Sequence, residues 1–186
     1  PYLECAESAA LAQFRDTCRR LTAAGHEIRP VPMMADFAEL RQRHVDLVGA
    51  EFAVLHRDWY PRYGHCYSPE SSELYAYATG IDEGRIAICR ESRLQLREHI
   101  HEAMTANGLS AWLTPAAPGP APVTLAKTGE PVMNLPWTHA LLPAVTVPCS
   151  NEQADGLPLG LQLVGKFGED EALVAQCQAI APVVSG

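Results

Sequence analysis

Lysine is almost missing from this sequence: Lys127 and Lys166 are the only two among 186 residues, and with the arginines they make 14 cations against 22 acids. A net charge of -8 without any cluster of basic residues argues against the electrostatic footprint of a nucleic-acid binder. No apolar run is long enough to span a bilayer, and Pro1 to Glu7 has no signal-peptide character. A cytoplasmic location with no membrane partner is therefore expected. The six cysteines, Cys5, Cys18, Cys66, Cys89, Cys149 and Cys177, are scattered without a Cys-x-x-Cys pair. That spacing suits reduced thiols rather than a disulfide framework or a zinc site, and no metal is expected.

What is present is ordinary for a globular chain, 47% hydrophobic and 19% charged residues, and the length suits a single domain, 1–186, with no internal boundary. Its most informative stretch runs from Met133 to Gly165. Two short apolar strands are expected there, Ala144 to Val147 and Leu159 to Val164, each entered through a proline and apolar on both faces, as central strands covered by helices are. In the second, Leu159, Leu161 and Leu163 point one way and Gly160, Gln162 and Val164 the other. Gln162 is the odd residue, because a buried amide is costly unless its donors and acceptors are paired. Gly160 beside it leaves room for a close approach.

The run Gly156-Leu157-Pro158-Leu159-Gly160-Leu161-Gln162-Leu163-Val164-Gly165, preceded by Asn134-Leu135-Pro136-Trp137-Thr138-His139 and by Pro143-Ala144-Val145-Thr146-Val147-Pro148, resembles the C-terminal part of the amidase signature enzymes. Leu113 to Pro122 resembles the same family's strand and proline-rich loop. The resemblance implies amide hydrolysis by a serine nucleophile, a second serine joined by a cis peptide bond and a lysine, with no cofactor. It also implies that these groups lie in a glycine- and serine-rich segment upstream of the part matched. The sequence has no such segment. Its only Ser-Ser pair, Ser71-Ser72, is flanked by Glu70 and Glu73, and both lysines sit in or beside the C-terminal motifs. No catalytic residue is therefore assigned. Two departures stand out: Leu141 and Ser150 occupy positions where the family usually has glycine, so leucine would strain a turn needing φ > 0 or narrow the cleft.

Along the chain, Ala10, Phe14, Cys18 and Leu21 recur at helical spacing, Gly25 supplies a stop, and His26 to Val31 reads as a strand. A second helix from Asp36 to about Tyr60 carries the stripe Phe37, Leu40, His44, Val48, Phe52, Leu55 and Trp59. His44 reads as a general base or as a partly buried histidine with one satisfied nitrogen. The segment Trp59 to Tyr77 holds six of the thirteen aromatic residues and reads as a loop and a short helix, its aromatics either lining a pocket or packing the loop down. A helix from Asp82 to Asn107 places Arg93 among apolar neighbours, where it reaches solvent or meets a carboxylate. The last helix opens on Glu169, Asp170 and Glu171, buries Leu173, Cys177 and Ile180, and is expected to end at Pro182. His65-Cys66 and His99-x-His101 invite thiol-hydrolase and metal readings, which adjacency and spacing do not favour.

These observations predict an α/β chain: a mixed sheet of about four strands covered by helices, resembling the C-terminal part of the amidase signature fold. An uncovered sheet edge or face should receive an upstream amidase segment or subunit that carries the catalytic triad. Substrate-binding candidates are Asn134, Trp137, His139, Trp59 and Tyr63, facing a small-molecule amide; Gln162, Gly160 and Arg93 are structural. The assembly, a homo-oligomer included, stays open. Two further readings remain, a non-catalytic scaffold or binding subunit retaining the same framework, and a cysteine hydrolase using Cys66 or Cys149.

Overall fold

A computed structural model describes residues 1–124, 128–149 and 157–186. The helices are α1 (Ser8–Ala23), α2 (Phe37–His56), α3 (Tyr60–Tyr63), α4 (Pro69–Ala78), α5 (Glu83–Asn107), α6 (Leu135–Ala140) and α7 (Asp170–Ser185), and the strands are β1 (Trp112–Pro115), β2 (Ala144–Pro148) and β3 (Gly160–Val164). Local chemistry sets several ends. The Asp82 carboxylate accepts the Arg85 N–H at 2.8 Å at the start of α5, and Gly108 closes that helix in the left-handed region at φ 62°.

The α/β class stands, with a smaller and more regular sheet than the expected mixed one of four strands. Among the described residues it has three strands in the order β1-β3-β2, and both pairings are antiparallel, with Thr114 and Thr146 flanking Gln162. The expected strand at His26 to Val31 is irregular. Pro30 removes a ladder donor, and Arg29 turns outward to pair with Glu27 and to donate to the Asn107 carbonyl at 3.0 Å.

Helices cover both faces. Leu161, Leu163 and Val147 pack with Leu173, Cys177, Ile180 and Val184 of α7 and Leu21 of α1. On the opposite face Val164 joins a larger core built from Trp137 and Ala140 of α6, Ile100 and Met104 of α5, and Phe37 and Leu40 of α2. Leu159, expected to align with Leu161, precedes the strand and packs with this second group, because alternation begins only at Gly160. Among the described residues β1 and β2 are both edge strands; on β2 the ladder to β3 uses Val145 and Val147 and turns the Ala144 and Thr146 backbone outward. Pro182 does not end α7. Burial of Val184 and hydrogen bonds from Arg20 to the Val183 and Val184 carbonyls, both 3.2 Å, carry the last turn through Ser185.

At two positions backbone geometry gives direct tests. Leu141 caps α6 at φ 58°, ψ 39° with its side chain 45% exposed, so the turn demands the left-handed region that glycine enters freely. Leu141→Gly is expected to stabilise the chain by about 1 kcal/mol in urea unfolding. At Gly160 a Cβ would overlap the Thr146 methyl and lie 3.2 Å from the Ala116 Cβ. Gly160→Ala is expected to cost about 1–3 kcal/mol, and a double-mutant cycle with Thr146→Ala should recover part of that loss.

Candidate functional site

The polar centre of the chain is built on Gln162, 2% exposed in the middle strand. Thr114 Oγ1 of β1 donates to Gln162 Oε1 at 3.0 Å, and Gln162 Nε2 donates to Asn134 Oδ1. Asn134 Nδ2 in turn donates to the Ala116 carbonyl at 3.4 Å. The amide expected to need partners has them, and the same relay fixes the residue that precedes α6.

Asn134 opens into a cleft of about 370 Å³ between α2, α4 and α6. Arg41, His44, Asn134, Thr138 and Glu130 supply its polar groups, and Val45, Val48, Leu74 and Leu135 its apolar walls. Such a lining suits a small ligand with an apolar body and a few hydrogen-bonding groups.

The other sequence candidates are not beside Asn134. Trp137 is 3% exposed, and its Nε1 donates to Tyr2 Oη at 3.1 Å while Tyr2 donates to the Met133 carbonyl at 2.6 Å. Burial pushes the Tyr2 phenol up to about 12. His139 is completely buried. Both side chains face the interior because α6 is only six residues long and lies between the sheet and the two long helices. Trp59 and Tyr63 are 60% and 53% exposed at the far end of α2. The tyrosine-rich segment packs mainly on itself and on α2: Tyr60 stacks on Tyr75 at 4.0 Å, and Tyr67 meets His56 Nδ1 at 2.5 Å.

Beneath the cleft, His139 Nε2 lies 2.8 Å from Ser92 Oγ. A buried serine beside an imidazole could be a nucleophile and its base, but the single Ser92 hydroxyl proton goes to the Cys89 carbonyl at 2.8 Å. Ser92 Oγ therefore accepts from Nε2–H, and the pair is a structural contact between α5 and α6. Among the described residues the His139 Nδ1 and the His44 Nδ1 have no hydrogen-bond partner, and the two rings meet edge to face at 5.5 Å. Burial pushes His139 down to about 4, aided by the charges of His44, Arg93 and Arg43; burial and Arg93 also lower His44. Arg93 takes the carboxylate alternative, with its guanidinium 3.8 Å from Glu51.

Sequence reasoning missed Asp46. It is 4% exposed on α2 and accepts hydrogen bonds from Tyr77, from Gln42 at 2.8 Å and from Arg85 at 2.7 Å. Burial acts to raise its carboxyl, yet these donors together hold it below the usual range. The knot ties α2, α4 and α5 together, and only a charge on the helix's buried face could have signalled it. Cys149 is buried, with its thiol 3.7 Å from Thr17 Oγ1, and Cys66 is exposed in a short turn. No group of three or more His, Cys, Asp or Glu side chains converges as a metal site requires, among the described residues. No helix among them is long and apolar enough to cross a membrane. Ser150 and Lys127 lie outside the described residues.

No family model matches the sequence. The A subunit of glutamyl-tRNA(Gln) amidotransferase from Gluconobacter oxydans (strain 621H) is 41% identical over 75 residues, which is 37% of this chain and 15% of that protein. The corresponding subunit of Anaeromyxobacter dehalogenans (strain 2CP-C) is 29% identical over 57% of this chain. The chain thus spans less than a quarter of the length of these curated relatives, 23% and 15%. Among solved structures, an amidase superposes on 99% of this chain with a TM-score of 0.87 at 23% identity, the match covering 44% of that protein. A bacterial aryl acylamidase described as an amidase signature enzyme superposes on 97% of this chain, and on 43% of its own, with a TM-score of 0.68 at 12% identity.

The buried histidines make stability depend on pH with a definite sign. Because His139 titrates near 4 in the fold and near 6.5 when exposed, the unfolded chain binds the extra proton between those values. Stability complete above the exposed value is lost as pH falls toward the folded one. His139→Gln is expected to flatten the fall in urea midpoint between neutral pH and the folded value.

Proposed function

Because the chain belongs to the amidase signature family and matches only part of its relatives' length, we propose that it is the C-terminal, substrate-pocket portion of an amidase. The nucleophilic serine and its lysine come from an upstream segment. Attack of that serine on the amide carbonyl expels the amine and leaves an acyl-enzyme, which water hydrolyses to the carboxylic acid.

The observation that carries this reading is the position of Asn134. It lines the cleft; its carbonyl oxygen is engaged by Gln162 and one amide N–H by the Ala116 carbonyl, which leaves the second N–H as a donor for a ligand. A substrate amide needs such a donor on its polar end and an apolar wall for its body, and Val45, Val48 and Leu135 provide the wall. An upstream strand would find a ready edge in the outward backbone of Ala144 and Thr146 on β2.

The purified 186-residue chain is expected to take up no serine-directed fluorophosphonate and to hydrolyse no amide. Joined to the serine-rich upstream part, it should do both, and Asn134→Ala should then raise KM about 10-fold or more. Stoichiometric labelling of the isolated chain would place the nucleophile here instead. Silence of the joined protein would leave the framework as a non-catalytic scaffold.

A further inference from the structure

Gln162 is buried and does not line the cleft, yet its hydrogen bonds decide what Asn134 shows there. A primary amide has an acceptor oxygen and a donor nitrogen, and a half-turn about its last side-chain bond exchanges them. The relay from Thr114 through Gln162 and Asn134 to Ala116 holds two such amides in series, so turning one obliges the other to turn. Only one end of the relay has a fixed polarity. The Thr114 hydroxyl donates or accepts and follows either arrangement. The Ala116 carbonyl only accepts, while the Ala116 N–H is committed to the Gly160 carbonyl at 3.0 Å. Asn134 Nδ2 therefore turns to Ala116, Asn134 Oδ1 to Gln162 Nε2, and Gln162 Oε1 to Thr114. In the reverse arrangement Asn134 Oδ1 would meet the Ala116 oxygen, acceptor against acceptor. At 3.4 Å the Ala116 contact is long. It is a weak hold on an exposed side chain, and the enclosed Gln162 supplies the rest.

We propose that Gln162 is a positioning residue that sets the hydrogen-bond polarity of the cleft, so that Asn134 takes a ligand by an acceptor oxygen, of a carbonyl or a carboxylate, and turns away one that offers only N–H groups there. The use of this polarity rests on the cleft being the substrate site; the direction of the relay does not. Arg41 in the same lining is also a donor only, Glu130 is an acceptor only, and His44 and Thr138 serve either way. Gln162→Glu separates positioning from mere support, because the shape is kept and the polarity becomes a matter of charge. Protonated, the new carboxyl gives its one O–H to Asn134 Oδ1 and accepts from Thr114, as the glutamine does. Ionised, it only accepts, so Asn134 turns Nδ2 toward it and shows an oxygen to the cleft.

In the isotope-labelled 186-residue chain, NMR distance contacts should place the Gln162 Nε2 protons against Asn134 and not against Thr114. The probe is N,N-dimethylacetamide, a carbonyl acceptor without N–H donors, which should shift the Asn134 Nδ2 signal. Gln162→Glu should bind it as the parent does where the new carboxyl is protonated, and about 10-fold more weakly once it ionises, reversibly with pH. His44, Glu130 and Arg41 are common to both proteins, so the ratio of the two affinities isolates the new carboxyl. Tyr2, which also meets Thr114, is pushed up to about 12 by burial and keeps its proton throughout. Gln162 amide protons on Thr114, an Asn134 signal that ignores the probe, or a ratio that ignores pH would each overturn the proposal. The first two readouts need no variant and stand if Gln162→Glu does not fold. A relay of the stated direction in a joined protein without turnover would strike the amidase reading and leave the polarity intact.

Discussion

The structure depends on keeping one primary amide hydrogen-bonded in the middle of its sheet. Gln162 sits on β3 with neighbours on both sides, where an unpaired amide would cost about 1–3 kcal/mol. Its oxygen is met by Thr114 on β1 and its nitrogen by Asn134 ahead of α6. Those two bonds fix the strand register and the start of α6 together. From that anchor Trp137 reaches Tyr2 in the N-terminal turn, and His139 reaches Ser92 on α5. Distant parts of the chain are thus held by six residues of helix.

The helical layer contains two buried polar groupings with opposite electrostatic character. Asp46 is surrounded by donors from three helices and keeps its charge. His139 and His44 instead each keep a nitrogen without a partner among the described residues, with Arg93 acting on both and Arg43 on His139, so the neutral imidazoles suit the fold and the cationic forms do not. Burial alone does not decide between a kept and a suppressed charge; the sign and number of the neighbours do. The second grouping lies under the cleft, so proton uptake there acts on the contact between α6 and the long helices.

The fold that carries the cleft and the β2 edge is shared with longer proteins. The fold is matched over nearly the whole chain by an amidase that has more than as much chain again. On this chain the outward backbone of β2 and the partly exposed residues Val45, Val48 and Leu55 of α2 are both at the surface. The exposed stripe on α2 follows from having more apolar residues than one face can hold.

Periodicity located α2 and α5 but misplaced the buried face of α2 beyond Leu40: Val48, Leu55 and Trp59 of the expected stripe are exposed, Leu47, Gly49 and Ala50 are buried against the neighbouring helices instead, and the helix ends at His56 rather than near Tyr60; it identified β1, β2 and β3 because short apolar runs between prolines have few other uses. The need of Gln162 for partners, the tight approach at Gly160 and the φ demanded at Leu141 were also legible, since each rests on one residue's own chemistry. Other features depended on what arrived from elsewhere in the chain. Asp46 is buried because Tyr77 and Arg85 reach it, and Trp137 and His139 turned inward because α6 is enclosed by the sheet, α2 and α5. The segment after Gly25 missed the sheet because Pro30 and a charge pair gave it better local partners. Sequence by itself determined the elements, their kinship and the residues with strict local demands; tertiary structure alone decided which polar groups are enclosed, since burial is a property of neighbours.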